Sequence, residues 1–399
     1  MGEIDLIDKA ISVVVQVPGL NGCRGLPTML SGPPGVGKSR KIEAMLTQVK
    51  GRKPVVMTAA NKDSTDFGGA PYPTYRAPRD ADGVVLHEEH HDRNVVRMLP
   101  YDWAIDLAEQ PGGLFIDEIS QAPHSVQNAI MRVLLDRMVG DVELHPETIV
   151  LVAGNPPEYT TGTWELTAPT ANRLVHLAVH APDVTEWASG MLQGWPTVQF
   201  PILDPKEWER SYTQAMALVT TFLHKRSNYL LKLPESEAER GRAWPSPRTW
   251  DMAVRAFAGA TALFPDQTDV ATEVVAGCIG RGVATEFMQF VKVNDLPDPI
   301  EILRTADTFR VDRGRPDRNM AIVHSVIQTV LKPHEHQIER VKLGFTVLRR
   351  MGHEGQKDCG AIGVQPIAQF AFGHNMWKEP IVKEVVAMYS SIINEVRDK

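Results

Sequence analysis

Between Leu26 and Val179, short apolar runs alternate with segments whose apolar residues recur every three or four positions. The runs Pro27–Leu30, Pro54–Thr58, Leu114–Asp117, Thr148–Ala153 and Leu174–Val179 predict strands. Several are apolar throughout, as strands covered on both faces are. Helical spacing follows at Lys41–Val49, Trp103–Glu109 and Ser125–Arg137. Strand and helix in alternation predict a parallel α/β sheet. After Ala181 the pattern changes. Residues 183 to about 305 read as helices separated by Pro-rich turns, with Trp187, Trp195, Trp208, Trp244 and Trp250 among them. Residues 306–399 read as a further helical region, opening on the polar stretch Val311–Arg318, which predicts a linker or exposed loop. The opening MGEIDLIDKAISVVVQV predicts a short amphipathic helix.

Bulk properties narrow this picture only a little. The 399 residues are 43% hydrophobic and 23% charged, with a net charge of -7, so there is no global basic footprint for a nucleic-acid motor. Cys23, Cys278 and Cys359 are scattered without metal spacing and read as free thiols of a reducing compartment. No apolar run approaches a membrane span, and the N-terminus lacks the basic region of a signal peptide, so a cytoplasmic protein is expected.

The chemistry concentrates at strand ends. The first strand runs into Gly32-Pro33-Pro34-Gly35-Val36-Gly37-Lys38-Ser39-Arg40, which contains Gly-x-x-x-x-Gly-Lys-Ser. In such a loop the glycines let backbone N–H groups cradle the β- and γ-phosphates, the lysine neutralises their charge, and the serine hydroxyl binds Mg²⁺. The third strand ends in Asp117-Glu118. Two carboxylates there fit an acid that binds Mg²⁺ and a neighbour that polarises the attacking water. The fourth ends in Asn155-Pro156-Pro157, where an amide could touch the γ-phosphate or the water, or simply start a turn. Arg173 precedes the fifth strand, a common place for a surface charge. Arg248 lies in the first turn of a predicted helix, where a cation opposes the helix dipole and an anionic partner is expected.

Two further stretches interrupt the alternation. Within residues 68–100, Gly83–Leu86 and Asn94–Met98 predict paired strands; around 138–147, Met138–Leu144 predicts a short hairpin. His87-Glu88-Glu89-His90-His91 spells the zinc-protease pattern, but that mechanism needs a helix to put both histidines on one face. Its β-rich, Gly-flanked setting favours a solvated turn. His334-Glu335-His336 likewise reads as a polar helix start after Pro333.

Taken together, these motifs resemble the AAA+ ATPases, and within them the MoxR-like family. Phe115–Pro123, continuing through Val126–Ala129, is similar to that family's Walker B segment and the helix after it. Ala153–Tyr159 resembles its sensor 1 region. The resemblance covers about residues 1–300, best over 26–180 and 244–250. It implies an AAA+ phosphate-loop core of parallel sheet with helices on both faces over 1–181, interrupted by a helix-2 insert and a hairpin before sensor 1. An all-α lid over 182–305 and a helical C-terminal region over 306–399, a possible docking region, would follow. It implies ATP or ADP with Mg²⁺ held by Gly32–Arg40, with Ser39 and Asp117 as metal ligands. Catalytic roles would fall to Lys38, Glu118, Asn155 as sensor 1, Arg173 as a finger acting on a neighbour's nucleotide, and Arg248 as sensor 2. The family often has Asp-Arg-Phe where this chain has Asn172-Arg173-Leu174, which leaves Arg132 and Arg137 as rival interface arginines. The implied function is a ring, of hexameric type, that remodels or matures a client or a partner bearing a von Willebrand factor A domain. A nucleic-acid translocase and a nucleotide-switched scaffold are the alternatives. The mixed charge of the first insertion disfavours the former, and Glu118 disfavours the latter.

Overall fold

The computed structural model describes residues 4–75, 94–156, 159, 166–194, 199–294 and 296–397. The expectations at His87–His91 and Gly83–Leu86 lie outside these residues. In chain order the strands are β1 (Thr28–Ser31), β2 (Val55–Thr58), β3 (Ala70–Tyr75), β4 (Asn94–Leu99), β5 (Gly113–Asp117), β6 (Met138–Val139), β7 (Val142–Glu143), β8 (Ile149–Gly154) and β9 (Val175–Ala178). Helices α1 to α7 span Leu6–Gln16, Lys38–Lys50, Ser64–Gly68, Asp102–Glu109, His124–Asp136, Ala168–Ala171 and Val184–Gln193. Helices α8 to α12 span Pro205–Lys225, Glu237–Arg240, Pro247–Leu263, Thr268–Ile279 and Arg281–Val293. Helices α13 to α17 span Pro299–Arg304, Pro316–Leu331, Gln337–His353, Lys357–Gly373 and Pro380–Arg397.

Five strands form one parallel sheet in the order β2-β5-β8-β1-β9. All five coincide with the predicted apolar runs to within a residue or two at each end. The reason is burial: every residue of β8 and the first four of β5 are buried. Because the strands are parallel, their C-terminal ends share one edge, and Ser31 pairs with Gly154 there.

The chain divides into two compact units. The first comprises Met1–Leu203 and Leu233–Gly280; the second comprises Asp204–Lys232 and Arg281–Lys399. In the first unit, α1 packs on α10 and α11, and α11 packs on β9. Asp5 starts α1 by accepting from the backbone N–H groups of Ile7 and Asp8, and the apolar residues Ala10, Ile11, Val13, Val14 and Val15 are all buried. Antiparallel β3 and β4 form a separate ribbon, as do β6 and β7. Asn94–Leu99 is thus a strand as predicted, and among the described residues it pairs with Ala70–Tyr75.

These units do not follow the expected boundaries at 181/182 and 305/306. Helices α10 and α11, expected in a separate lid, belong to the first unit. The polar stretch Val311–Arg318 is no linker between cores, because Ile302, Leu303, Phe309, Ile322 and Val326 on either side of it share one. That second core is closely packed. A Cβ at Gly360 would lie 2.1 Å from Tyr389 Oη, so α16 and α17 meet only because Gly360 lacks a side chain. Tyr389 is fully buried, and its hydroxyl donates to Leu348 O at 2.8 Å. Tyr389→Phe is expected to cost about 1–3 kcal/mol by removing the donor from a buried acceptor. An unchanged urea midpoint would contradict this. No described helix is long and apolar enough to cross a membrane.

Candidate functional site

The site forms where β1, β5 and β8 end together, the edge at which open α/β sheets bind ligands. The chain leaves β1 at Ser31 and turns through Gly32–Gly37 into α2. Gly35 and Gly37 have φ of 80° and 84°, a left-handed conformation costly for residues with a Cβ. Gly37 is the N-cap of α2, so the helix starts at Lys38, three residues earlier than the apolar spacing predicts. The unbonded N–H groups of that first turn face the loop, a ready anion site. Pro34, Gly35, Gly37 and Arg40 are exposed, whereas Gly32 and Lys38 are buried.

Lys38 is only 7% exposed. Its ammonium donates to Gly32 O at 2.8 Å, to Pro33 O at 2.9 Å and to Asn155 Oδ1 at 2.8 Å. Three acceptors thus match the three protons of an ammonium group. Burial pulls the Lys38 pKa down, and the nearby Asp117 charge offsets part of that effect. Ser39 Oγ donates to Asp117 Oδ2 at 2.6 Å. The structure therefore brings Lys38, Ser39, Asp117 and Asn155 into one cluster, although these residues come from three separate strand ends. Ser39 and Asp117 present hard oxygen donors, the kind Mg²⁺ takes, and so fit that ion.

Glu118 follows directly, with φ 58° and ψ 34°, a left-handed backbone that is unusual for a residue with a side chain. Its N–H donates to Asp117 Oδ1 at 2.8 Å, and its carbonyl accepts from Gln121 N–H at 3.0 Å. Ser120, which the sequence did not single out, accepts from Asn155 N–H at 3.2 Å and so braces the end of β8.

The arginines lie elsewhere. Thr28 pairs with Val175 and Ser31 with Ala178, so Arg173 enters β9 at the end opposite the phosphate loop. That span is roughly 10 Å of strand at the usual rise per residue. Arg173 Nη1 donates to Pro169 O at 2.7 Å. Arg248 is the second residue of α10, whose N-cap Ser246 hydrogen-bonds Asn172 beside Arg173. The first turn of α10, which carries Arg248, therefore stands beside the turn that carries Arg173. Of the rival arginines, Arg132 is exposed. Arg137 is only 3% exposed, and its guanidinium donates to Thr148 O and Arg24 O, so it braces the fold and presents nothing at a surface. His334 accepts from the backbone N–H of His336, the N-cap of α15, which makes this cluster a helix start.

Residues 27–174 match the family model of the AAA domain, dynein-related subfamily. This segment is similar to an AAA domain. The match takes in the phosphate loop, the Asp117-Glu118 strand end, Asn155 and Arg173, and it leaves α1 and α7 to α17 outside the matched residues. Among solved structures, a candidate ATPase from Cytophaga hutchinsonii is 15% identical, with a TM-score of 0.40, over 71% of this chain and 86% of that one. NtrX from Brucella abortus is 13% identical, with a TM-score of 0.27, over 96% of this chain and 67% of that one. Both likenesses are too loose to bear on function. No curated protein matches the chain.

Proposed function

We propose that the chain is a Mg²⁺-dependent ATPase of the MoxR-like AAA+ branch, which assembles into a ring of hexameric type and uses ATP hydrolysis to remodel or mature a partner protein. The observation that carries the ATPase reading is the pair of hydrogen bonds Ser39–Asp117 and Lys38–Asn155. They join phosphate loop, acidic strand end and amide into one site. The MoxR-like branch is supported by the two antiparallel hairpins, one at β3–β4 and one at β6–β7, placed where that resemblance expects insertions. A partner with a von Willebrand factor A domain follows from the resemblance alone.

Each residue has a part set by its chemistry. Backbone N–H groups of the loop and the first turn of α2 hold the phosphates. Lys38, underprovided with solvent, gains from an anion what burial has cost it. Asn155 then exchanges the Lys38 ammonium for the γ-phosphate or the attacking water. Glu118 takes the proton of that water. Ser39 and Asp117 hold Mg²⁺, which when bound neutralises charge on the phosphate oxygens. Arg173 and Arg248 serve the nucleotide of a neighbouring copy, since both lie at the far end of β9 from their own loop.

Release of phosphate from MgATP by the purified chain tests the reading. Lys38→Ala should weaken ATP binding by roughly 10- to 100-fold, the worth of a charged hydrogen bond. A wild-type chain that releases no phosphate at any protein concentration overturns it.

A further inference from the structure

Asn172 stands between the two arginines, and neither the phosphate chemistry nor the core accounts for it. It is a polar residue, only 5% exposed, in the turn that leads into β9. Both ends of its amide are used. Oδ1 accepts from Ser246 Oγ at 2.8 Å, and Nδ2 donates to Trp244 O at 3.2 Å. A carbonyl oxygen can only accept, so the amide orientation is fixed by its partners. Ser246 is the N-cap of α10 and forms a capping box with Thr249. Thr249 Oγ1 in turn donates to Trp244 O at 3.0 Å. Asn172, Ser246 and Thr249 are all buried, and each hydrogen bond holds the next in place.

The chemistry of the clamp is selective. One acceptor and one donor must sit in one plane on a short stem, which is what asparagine provides. An aspartate would still accept from Ser246 but would turn a carboxylate oxygen towards Trp244 O. A leucine would leave the Ser246 hydroxyl and the Trp244 carbonyl each short of a partner. Arg173 is the next residue after the clamp on one side, and Arg248 lies two residues after Ser246 on the other.

We propose that Asn172 is a positioning residue which locks the Arg173 turn to the first turn of α10, so that Arg173 and Arg248 reach a neighbour's nucleotide as one rigid pair. The reaction it serves is the one proposed above, and the inference rests on that reading. The mechanical link does not, because it is a property of the chain without nucleotide. The Lys38 cluster makes no hydrogen bond to the clamp among the described residues, so binding of ATP to a subunit's own loop should be insensitive to it.

The test has two arms on the full-length chain. In the absence of nucleotide, Asn172→Ala should speed amide hydrogen exchange over residues 246–250 by roughly tenfold or more, as a lost brace opens the helix start. In the presence of MgATP, the same variant should lower kcat by roughly 10- to 100-fold, the scale of a small misplacement of a catalytic group, with the KM for ATP within about threefold of wild type. Asn172→Asp, which keeps the Ser246 bond, should fall between the two. When Arg173 and Arg248 are both already alanine, Asn172→Ala should change the single-turnover rate by less than about threefold, because the residues acted as a unit. Unchanged exchange over 246–250 overturns the clamp whatever the activity. Faster exchange with an equally large rate loss in the background lacking both arginines overturns the positioning role and leaves only a scaffold. A wild-type chain that hydrolyses no ATP overturns the function proposed above, and the exchange arm still decides the link.

Discussion

Glu118→Gln should cut ATP turnover by about 10²- to 10⁴-fold, the usual worth of a general base, while ATP binding stays within about threefold of wild type. The expectation comes from how the residue is held. Its left-handed backbone, φ 58° and ψ 34°, bends the chain sharply off the end of β5. Such a conformation costs an L-residue about 1–2 kcal/mol, and the neighbouring fold must hold it. Here the bond to Asp117 Oδ1 and the bond from Gln121 do so, and both use backbone atoms of Glu118. Glutamine has the same size and the same backbone, so these bonds and the melting temperature should be unaffected. Only the charge that accepts a proton is lost. Phosphate release and ATP binding measured on one preparation separate the outcomes. Turnover close to wild type would assign the water to a different group. The same variant, stalled with ATP bound, should retain its client through purification. Mass spectrometry that finds nucleic acid and no protein would count against protein remodelling.

What the sequence made legible follows from range. The five sheet strands could be read because each is short, buried and nearly continuous in apolar residues, a signal contained within the strand itself. The start of α2 could not, because its N-cap is Gly37 in a left-handed conformation and there is no Ser, Thr or Asp cap to announce it. The pairing of Asn94–Leu99 with Ala70–Tyr75 could not be read for a similar reason. Pro71 and Pro73 argue against a strand, yet a two-stranded ribbon leaves each strand an outer edge where proline is tolerated. Unit boundaries were the least legible. Helices of both units share one apolar spacing, and nothing in that spacing says which core a helix joins. Only the packing of Ile302 and Leu303 with Ile322 and Val326 shows that residue 306 lies inside a single core.

The candidate site divides along the same line. Lys38, Ser39, Asp117 and Asn155 were readable because each stands at a strand end, and parallel strands bring those ends to one edge. Arg137 was misread as an interface residue because its burial depends on the carbonyls of Thr148 and Arg24, distant in sequence. Asn172 left no local trace beyond standing next to Arg173. Its partners Trp244 and Ser246 lie over 70 positions away, beyond any periodic signal.

Arg173→Ala should lower ATP turnover by about 10³- to 10⁵-fold, the range for loss of an arginine that stabilises charge on a transferring phosphoryl group. On the proposed function, the nucleotide affected is that of a neighbouring copy. Because Val175 pairs with Thr28 while Ser31 pairs with Ala178, the whole length of β9 separates Arg173 from the phosphate loop of its own chain. An arginine side chain does not cover that roughly 10 Å of strand plus the depth of the loop beyond it. Its guanidinium donates to Pro169 O, a neutral acceptor weaker than a phosphate oxygen. The loss should therefore be recoverable in mixtures. Subunits with Arg173→Ala keep an intact Lys38 site; subunits with Lys38→Ala keep an intact Arg173. Neither preparation alone should turn over ATP at more than a trace rate. Mixed, the first should bind ATP and the second should supply the arginine, and activity should return wherever the two are neighbours in the right order. Recovery that rises with the share of the Lys38→Ala subunit and then falls is the signature of action between copies. Full activity in Arg173→Ala alone, or no recovery on mixing two preparations that are shown to co-assemble, would mean that Arg173 is a surface residue and that the site is completed by another group, with exposed Arg132 the first to test.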